Sequence, residues 1–248
     1  MKKVLLEVKN EVAWLTINRP EKRNAIDYDV MELFNEMLTI AEERTDVKAL
    51  VVTGNGTEAF CSGGDLSVFH EIYTKVDAEK MLNKMANVLL RLFFFPKPTI
   101  AYLNGTAVGG GCEIATACDF RIAAKNVKLG FIQGKLGITT GWGGSTYLLE
   151  RINRNEAIQL LMAAEVFDTE KALRVGFVDY IYDNAELYNW LSRFTKQDLG
   201  VLLAYKRRYS DKYDKELIHN RVLAEIDNCS SLWETPEHHD AVARFINK

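Results

Sequence analysis

Proline, histidine and cysteine are scarce in this chain, and no long apolar run occurs. Four prolines in 248 residues force few breaks, so the punctuation must come mostly from the 16 glycines. The four cysteines, Cys61, Cys112, Cys118 and Cys229, form no CxxC pair. No His/Cys spacing suits a metal, which excludes a disulfide framework and a zinc module as expectations. Reduced structural thiols fit better, and they suit a cytoplasmic location. An excess of one charge is also missing: 31 Lys+Arg against 34 Asp+Glu give a net charge of −3. Without a basic face or stripe, no nucleic-acid partner is expected. The densest apolar patch, Val88 to Phe95, is interrupted by Arg91 and stopped by Pro96. That is far too short to span a bilayer, and Met1 to Glu7 carries no apolar leader, so no membrane association is expected.

With 48% apolar residues, the chain can bury a sizeable core. One large domain, or one with a small appendage, is the expectation for this length. Val4–Val8 and Val12–Ile17 read as paired strands turning at Lys9-Asn10-Glu11. Val30, Leu33, Phe34, Met37, Leu38 and Ala41 recur at helical spacing behind a capping Asp27. Ala49–Thr53 is a continuous apolar strand, and Met81, Met85, Leu89 and Leu92 mark a long amphipathic helix broken by Pro96 and Pro98. Further strands are expected at Thr99–Leu103, Phe120–Ala123 and Val178–Ile181. Strands alternating with crossover helices predict an α/β architecture. From about Glu186 the chain reads as helical and charged, with Lys206-Arg207-Arg208 as a solvated helix face. A boundary near residue 190 divides a core, 1–190, from a helical region, 191–248.

Two glycine-bearing stretches carry the chemistry: Phe60-Cys61-Ser62-Gly63-Gly64-Asp65-Leu66 and Asn104 through Gly109-Gly110-Gly111-Cys112-Glu113. Each is expected to end a strand and open a helix, where unpaired backbone N–H groups can face an anion. Two such donors on one thioester oxygen would form an oxyanion hole for an enolate. Each donor is worth about 3–4 kcal/mol of barrier. Glu113, in the first turn of the second helix, is a candidate general acid/base. His70 follows the first stretch and reads as a solvated loop residue, and His238 and His239 lack further ligands for a metal.

These residues resemble the enoyl-CoA hydratase/isomerase (crotonase) superfamily. Ile17-Asn18-Arg19-Pro20-Glu21-Lys22-Arg23-Asn24-Ala25 is similar to the family's coenzyme A-contacting loop. The two glycine stretches resemble its oxyanion loops, with the Gly64 and Gly110 amides as donors. Leu136-Gly137-Ile138 through Gly141-Trp142-Gly143-Gly144 resembles the lining of the acyl pocket. The resemblance implies a crotonase spiral of ββα units followed by a C-terminal helical oligomerisation region that builds trimers or hexamers. It implies no metal or redox cofactor, coenzyme A arriving as part of the substrate. It places Glu113 and Gln133 as catalytic positions and Arg23, Ala25, Ser62, Asp65, Leu66 and Trp142 as substrate- or coenzyme A-binding ones.

Gln133 is the departure. Hydratases of the family carry a second glutamate there, and an amide orients a water but cannot take its proton. The general hydratase/isomerase assignment stands as the expectation, with decarboxylation of a malonyl-type (methylmalonyl or ethylmalonyl) ester as its alternative. Loss of carbon dioxide generates the enolate without a base, and one acid, Glu113, then suffices. Trp142 between glycines, and Ala117-Cys118-Asp119-Phe120-Arg121, further resemble the ethylmalonyl-CoA decarboxylase branch. A non-catalytic acyl-CoA- or RNA-binding protein on the same fold is the rival from another class.

Overall fold

The computed structural model describes residues 2–182 and 184–246. Strands β1 (Val4–Lys9) and β2 (Val12–Ile17) pair antiparallel around Asn10 and Glu11. Both turn residues are left-handed, at φ 52° and 61°, the backbone twist that a tight hairpin requires. Helix α1 (Tyr28–Glu43) starts where the Asp27 carboxylate accepts the Val30 N–H. It buries Val30, Met31, Phe34, Leu38 and Ala41 along one stripe.

The chain then repeats one motif. Strands β3 (Ala49–Gly54) and β4 (Ala59–Cys61) lead through α2 (Leu66–Phe69) to α3 (Lys75–Phe93). Strands β5 (Thr99–Leu103) and β6 (Thr106–Val108) lead to α4 (Gly110–Ala117). Strands β7 (Phe120–Ala124) and β8 (Leu129–Gly130) lead to α5 (Gly144–Arg151), α6 (Arg154–Ala163) and α7 (Thr169–Arg174). Each turn gives its first strand to a six-stranded sheet ordered β1-β2-β3-β5-β7-β9, where β9 is Tyr180–Tyr182. Its second strand goes to a three-stranded sheet ordered β4-β6-β8. This is the expected spiral of ββα units. The sequence reading did not resolve β6 and β8 as strands, because two- and three-residue segments are too short to show a period.

That small sheet positions the site. Its strands are parallel neighbours, so the loops leaving their C-terminal ends stand in a row. Those loops contain Gly64, Gly110 and Gln133. Open parallel sheets bind ligands at this end of their strands.

The large sheet is buried on both faces. Leu15, Leu50, Val52 and Ala101 face the main core with α1, α3 and α4. Val12, Ala49, Val51, Ile100 and Ile122 face Leu187, Trp190 and Leu191 of α8 (Asn184–Thr195). Two buried faces explain the unbroken apolar run at Ala49–Thr53. Helix α8 runs through residue 190, so the expected boundary falls inside one helix, and the outer limits at 1 and 248 lie outside the described residues. The strand expected from Val178 starts instead at Tyr180.

Helices α9 (Leu199–Ser210), α10 (Lys215–Trp233) and α11 (Pro236–Ile246) complete the chain. One expectation fails here. Lys206 is not solvated: it is buried against the Asp119 carboxylate, which also pairs with Arg151. Burial outweighs that partner and lowers the proton affinity of Lys206. The buried Arg121 adds a pair with the half-buried Asp179. The stretch Ala117–Arg121 thus fastens the helical layer to the sheet.

Candidate active site

The first glycine loop is built by its neighbours. Gly63 adopts φ +95°, and its carbonyl accepts the Ile26 N–H. The buried Asp65 carboxylate caps α2 through Ser67 and accepts from Arg19 at 2.8 Å. Asp65 therefore holds the loop, and its side chain is fully engaged by protein. The second loop turns at Gly109 (φ +55°), leaving Gly110 as the first residue of α4. Neither the Gly64 nor the Gly110 N–H donates to a protein acceptor among the described residues.

The two loops converge because they are glycine. A Cβ added at Gly63 would sit 3.1 Å from the Gly110 nitrogen, and one at Gly111 would sit 2.1 Å from the Cys61 carbonyl oxygen. Trp142 enters the same slot. Its six-membered ring lies so close to Gly110 that a Cβ there would meet Cζ3 at 2.1 Å, while one at Gly64 would meet Cζ2 at 3.7 Å. The indole is 4% exposed. It is both core and wall, packed in the protein interior yet bordering both candidate donors.

Glu113 is 3% exposed and points across to the start of α5. Its Oε2 accepts the N–H groups of Trp142 (2.8 Å) and Gly144 (3.0 Å), and its Oε1 accepts Gln133 Nε2 (2.9 Å). Gly144 must lack a side chain, since a Cβ would fall 2.4 Å from Glu113 Cγ. Burial, and next the charge of Glu225, push the Glu113 carboxyl up to about 8, against the pull of those bonds. The shift favours the protonated form, which is what a general acid requires.

Gln133 sits in the 3₁₀ turn Ile132–Leu136, 8% exposed. Its Oε1 is buried without a partner. Turned over, the amide would present that oxygen to the Glu113 proton, a choice set by the hydrogen-bond network. The structure thus joins Gly64, Gly110, Glu113, Gln133 and Trp142. His238, on α11, supports the turn by pairing its Nδ1 with the Leu136 carbonyl at 2.7 Å. Burial lowers its proton affinity.

The other expected positions lie beside the first loop. Arg23 is exposed at φ 50°, and its carbonyl accepts the Ser62 N–H. The Ala25 carbonyl accepts Arg19 Nη1, and Leu66 opens α2, half-buried. His70 is exposed, with Nδ1 2.9 Å from the Leu66 carbonyl oxygen, as the solvated reading expects. All four cysteines are free and buried, and burial pushes Cys61, Cys112 and Cys118 up to about 12. That is the opposite of a nucleophile. No three His, Cys, Asp or Glu side chains cluster to hold a metal ion among the described residues.

Sequence reasoning missed Glu225. This α10 residue, 6% exposed, accepts from the Gly143 and Ser145 amides, from the Thr146 amide and from both hydroxyls. No local signal could reveal it: its partners lie 79 to 82 residues earlier in the chain.

This geometry has relatives. The chain is 32% identical to a short-chain-enoyl-CoA hydratase of Clostridium acetobutylicum, over 99% of this chain and 95% of that one. It is 34% identical to an ethylmalonyl-CoA decarboxylase of Bos taurus, over 93% of this chain and 77% of that one. The fold matches the crystal structure of an enoyl-CoA hydratase from Bacillus halodurans with a TM-score of 0.89, at 25% identity over 98% and 99% of the two chains. The profile that matches residues 7–248 is that of enoyl-CoA hydratase/isomerase, and the chain belongs to this family.

Proposed function

We propose that this protein is an acyl-CoA-processing enzyme that holds a thioester enolate between the Gly64 and Gly110 amides, with Glu113 delivering or removing the proton. The observation that carries this reading is the pair of unpartnered amides on adjacent loops, with one buried carboxyl bonded to the backbone of Trp142, whose ring borders both. Removing a single oxyanion donor costs about 10²–10³ in kcat, so two aligned N–H groups supply much of the barrier reduction an enolate needs. Substrate displaces the Trp142 ring edge from between them. The exposed Arg23 and the Ser62–Leu66 loop border the route for the coenzyme A portion. The proposed step uses no metal or redox cofactor.

A second reading is favoured by Gln133. Its Nε2 donates to Glu113, and no second carboxylate is present at that position to take a proton from water. Decarboxylation of a malonyl-type ester fits this wall. The bond from the α-carbon to the carboxylate breaks, its electron pair becomes the enolate, and carbon dioxide leaves. Glu113 then gives its proton to the α-carbon and regains one from solvent.

Incubation with crotonyl-CoA and, separately, with methylmalonyl- and ethylmalonyl-CoA, followed by mass, tests both. A gain of 18 Da on crotonyl-CoA (one water, about 18 Da) makes the enzyme a hydratase. Loss of carbon dioxide alone makes it a decarboxylase. Tight binding of every ester without turnover would sink the catalytic reading in favour of a carrier. We further propose a cytoplasmic homotrimer or hexamer; the exposed Ile158 and Met162 on α6 support self-association.

A further inference from the structure

Two carboxylates share the start of helix α5, and they alternate along it. Glu113 takes the amides of Trp142 and Gly144. Glu225 takes those of Gly143, Ser145 and Thr146, with the Ser145 and Thr146 hydroxyls. The two come from different helices, Glu113 from α4 and Glu225 from α10. All of these partners are amides or hydroxyls, and no cation pairs with either carboxylate among the described residues. Only donors face Glu225, which suits its acceptor-only form. Glu113 faces donors too, but one of them, the Gln133 amide, can turn over to offer its unpartnered Oε1 to an acid proton.

Helix α10 supports the same loop twice more. Cys229 Sγ donates to the Thr139 carbonyl at 3.3 Å, and a Cβ at Gly141 would meet that sulfur at 2.8 Å. One face of α10 therefore fixes the segment that carries Trp142 and receives Glu113. A cleft of about 410 Å³ is lined by Thr139, Ser145, Glu225, Asn228, Ser231 and Leu232.

We propose that Glu225 is the positioning residue of this site: by clamping alternate amides of the α5 start, it sets both where Glu113 sits and which partner holds its proton. The inference rests on the reading of Glu113 as the acid. Like charges in one dry site cannot both form cheaply, and the charge of Glu225, second to burial, raises the proton affinity of Glu113. The other titratable groups facing the pair are Tyr147 on α5, Cys229 on α10 and Cys112 on α4. All three stay neutral, because burial raises each of them first of all. The Tyr147 hydroxyl has no partner of its own.

The test is an infrared titration of the resting, full-length protein, with the Glu113 carboxylic-acid band assigned by its loss in Glu113→Gln. The band should titrate with a midpoint of about 8 in the unaltered protein. Glu225→Gln keeps an acceptor oxygen for the amides but removes the charge, and should lower the midpoint by about one unit or more. Glu225→Asp, with the charge withdrawn by one methylene, should fall between them. A purely structural role would lower the melting temperature of both variants while leaving the midpoint unmoved. That result, or an unmoved midpoint in whichever variant folds, overturns the proposal. Because no substrate is present, the outcome stands apart from the reaction assays. A shifting midpoint without turnover of any ester would fault the proposed function and leave the positioning role intact.

Discussion

Replacing Gly110 by alanine should be the most damaging one-carbon change in the site. The new Cβ would lie 2.1 Å from Trp142 Cζ3 and 2.7 Å from both Cε3 and Cη2. Carbon atoms pack at about 3.5–4.0 Å, so the ring edge must retreat by more than an ångström or the start of α4 must lift. Overpacking of this kind costs about 1–3 kcal/mol. In a chain of this size about 2 kcal/mol corresponds to a fall of roughly 4–8 °C in melting temperature. If α4 lifts, the Gly110 N–H also leaves its line, and losing one oxyanion donor costs about 10²–10³ in kcat. Gly109→Ala is the control, since its Cβ meets nothing within 4 Å and bears only the strain of φ +55°. The decisive variant is Gly110→Ala combined with Trp142→Ala, which removes the ring that clashes. Calorimetry on the two single variants and the double one should give a favourable coupling of about 1–3 kcal/mol. Additive losses, or a Gly110→Ala protein that melts and turns over unchanged, would refute the placement of Trp142 against this amide.

Glu113→Gln should fold normally, because turning over the Gln133 amide offers Oε1 to the new side-chain N–H₂; turnover should fall by about 10²–10⁴-fold, read from initial rates and melting temperature together. The same carboxyl has a signature in stability against pH. Its folded value of about 8 exceeds the unfolded one, so only the unfolded chain ionises as pH rises from about 4.3. Urea midpoints should therefore decline between those limits in the unaltered protein relative to Glu113→Gln, and the difference should level off above pH 8. If Glu113 is the acid, kcat should also fall as pH passes through about 8. Lys206→Met leaves Arg151 as the remaining cation on the buried Asp119 carboxylate, and removing one partner of a buried pair costs up to about 3–5 kcal/mol; chemical denaturation should show it, with the site otherwise unaltered.

The glycines and caps were legible because their signals are local. Gly63-Gly64 and Gly109-Gly110-Gly111 each stand at a strand-to-helix junction, and Asp27 announces α1 three residues before the amide it accepts. The order of four motifs along the chain carried the family. What could not be read was how the third dimension reuses side chains. Glu113 read as an acid/base residue in the first turn of its own helix, but nothing local showed that its carboxylate bonds to the start of α5. Lys206 looked like one of three solvated cations, yet tertiary packing turns it inward to Asp119 while Arg207 and Arg208 remain outside. Glu225 sat in an unremarked charged helix. Trp142 read as part of a pocket wall, and the structure packs it into the core as well. The strands β6 and β8 needed the sheet to define them.

The central claim is that this site forms a thioester enolate and that Glu113 moves its proton. Exchange of the α-protons of a saturated ester, butyryl-CoA, in D₂O reads that step without requiring hydration or decarboxylation. Followed by mass, the unaltered enzyme should incorporate deuterium at the α-carbon, faster above pH 8 where Glu113 can act as a base, and Glu113→Gln should not. No exchange by the unaltered protein, or equal exchange by both, would contradict the account.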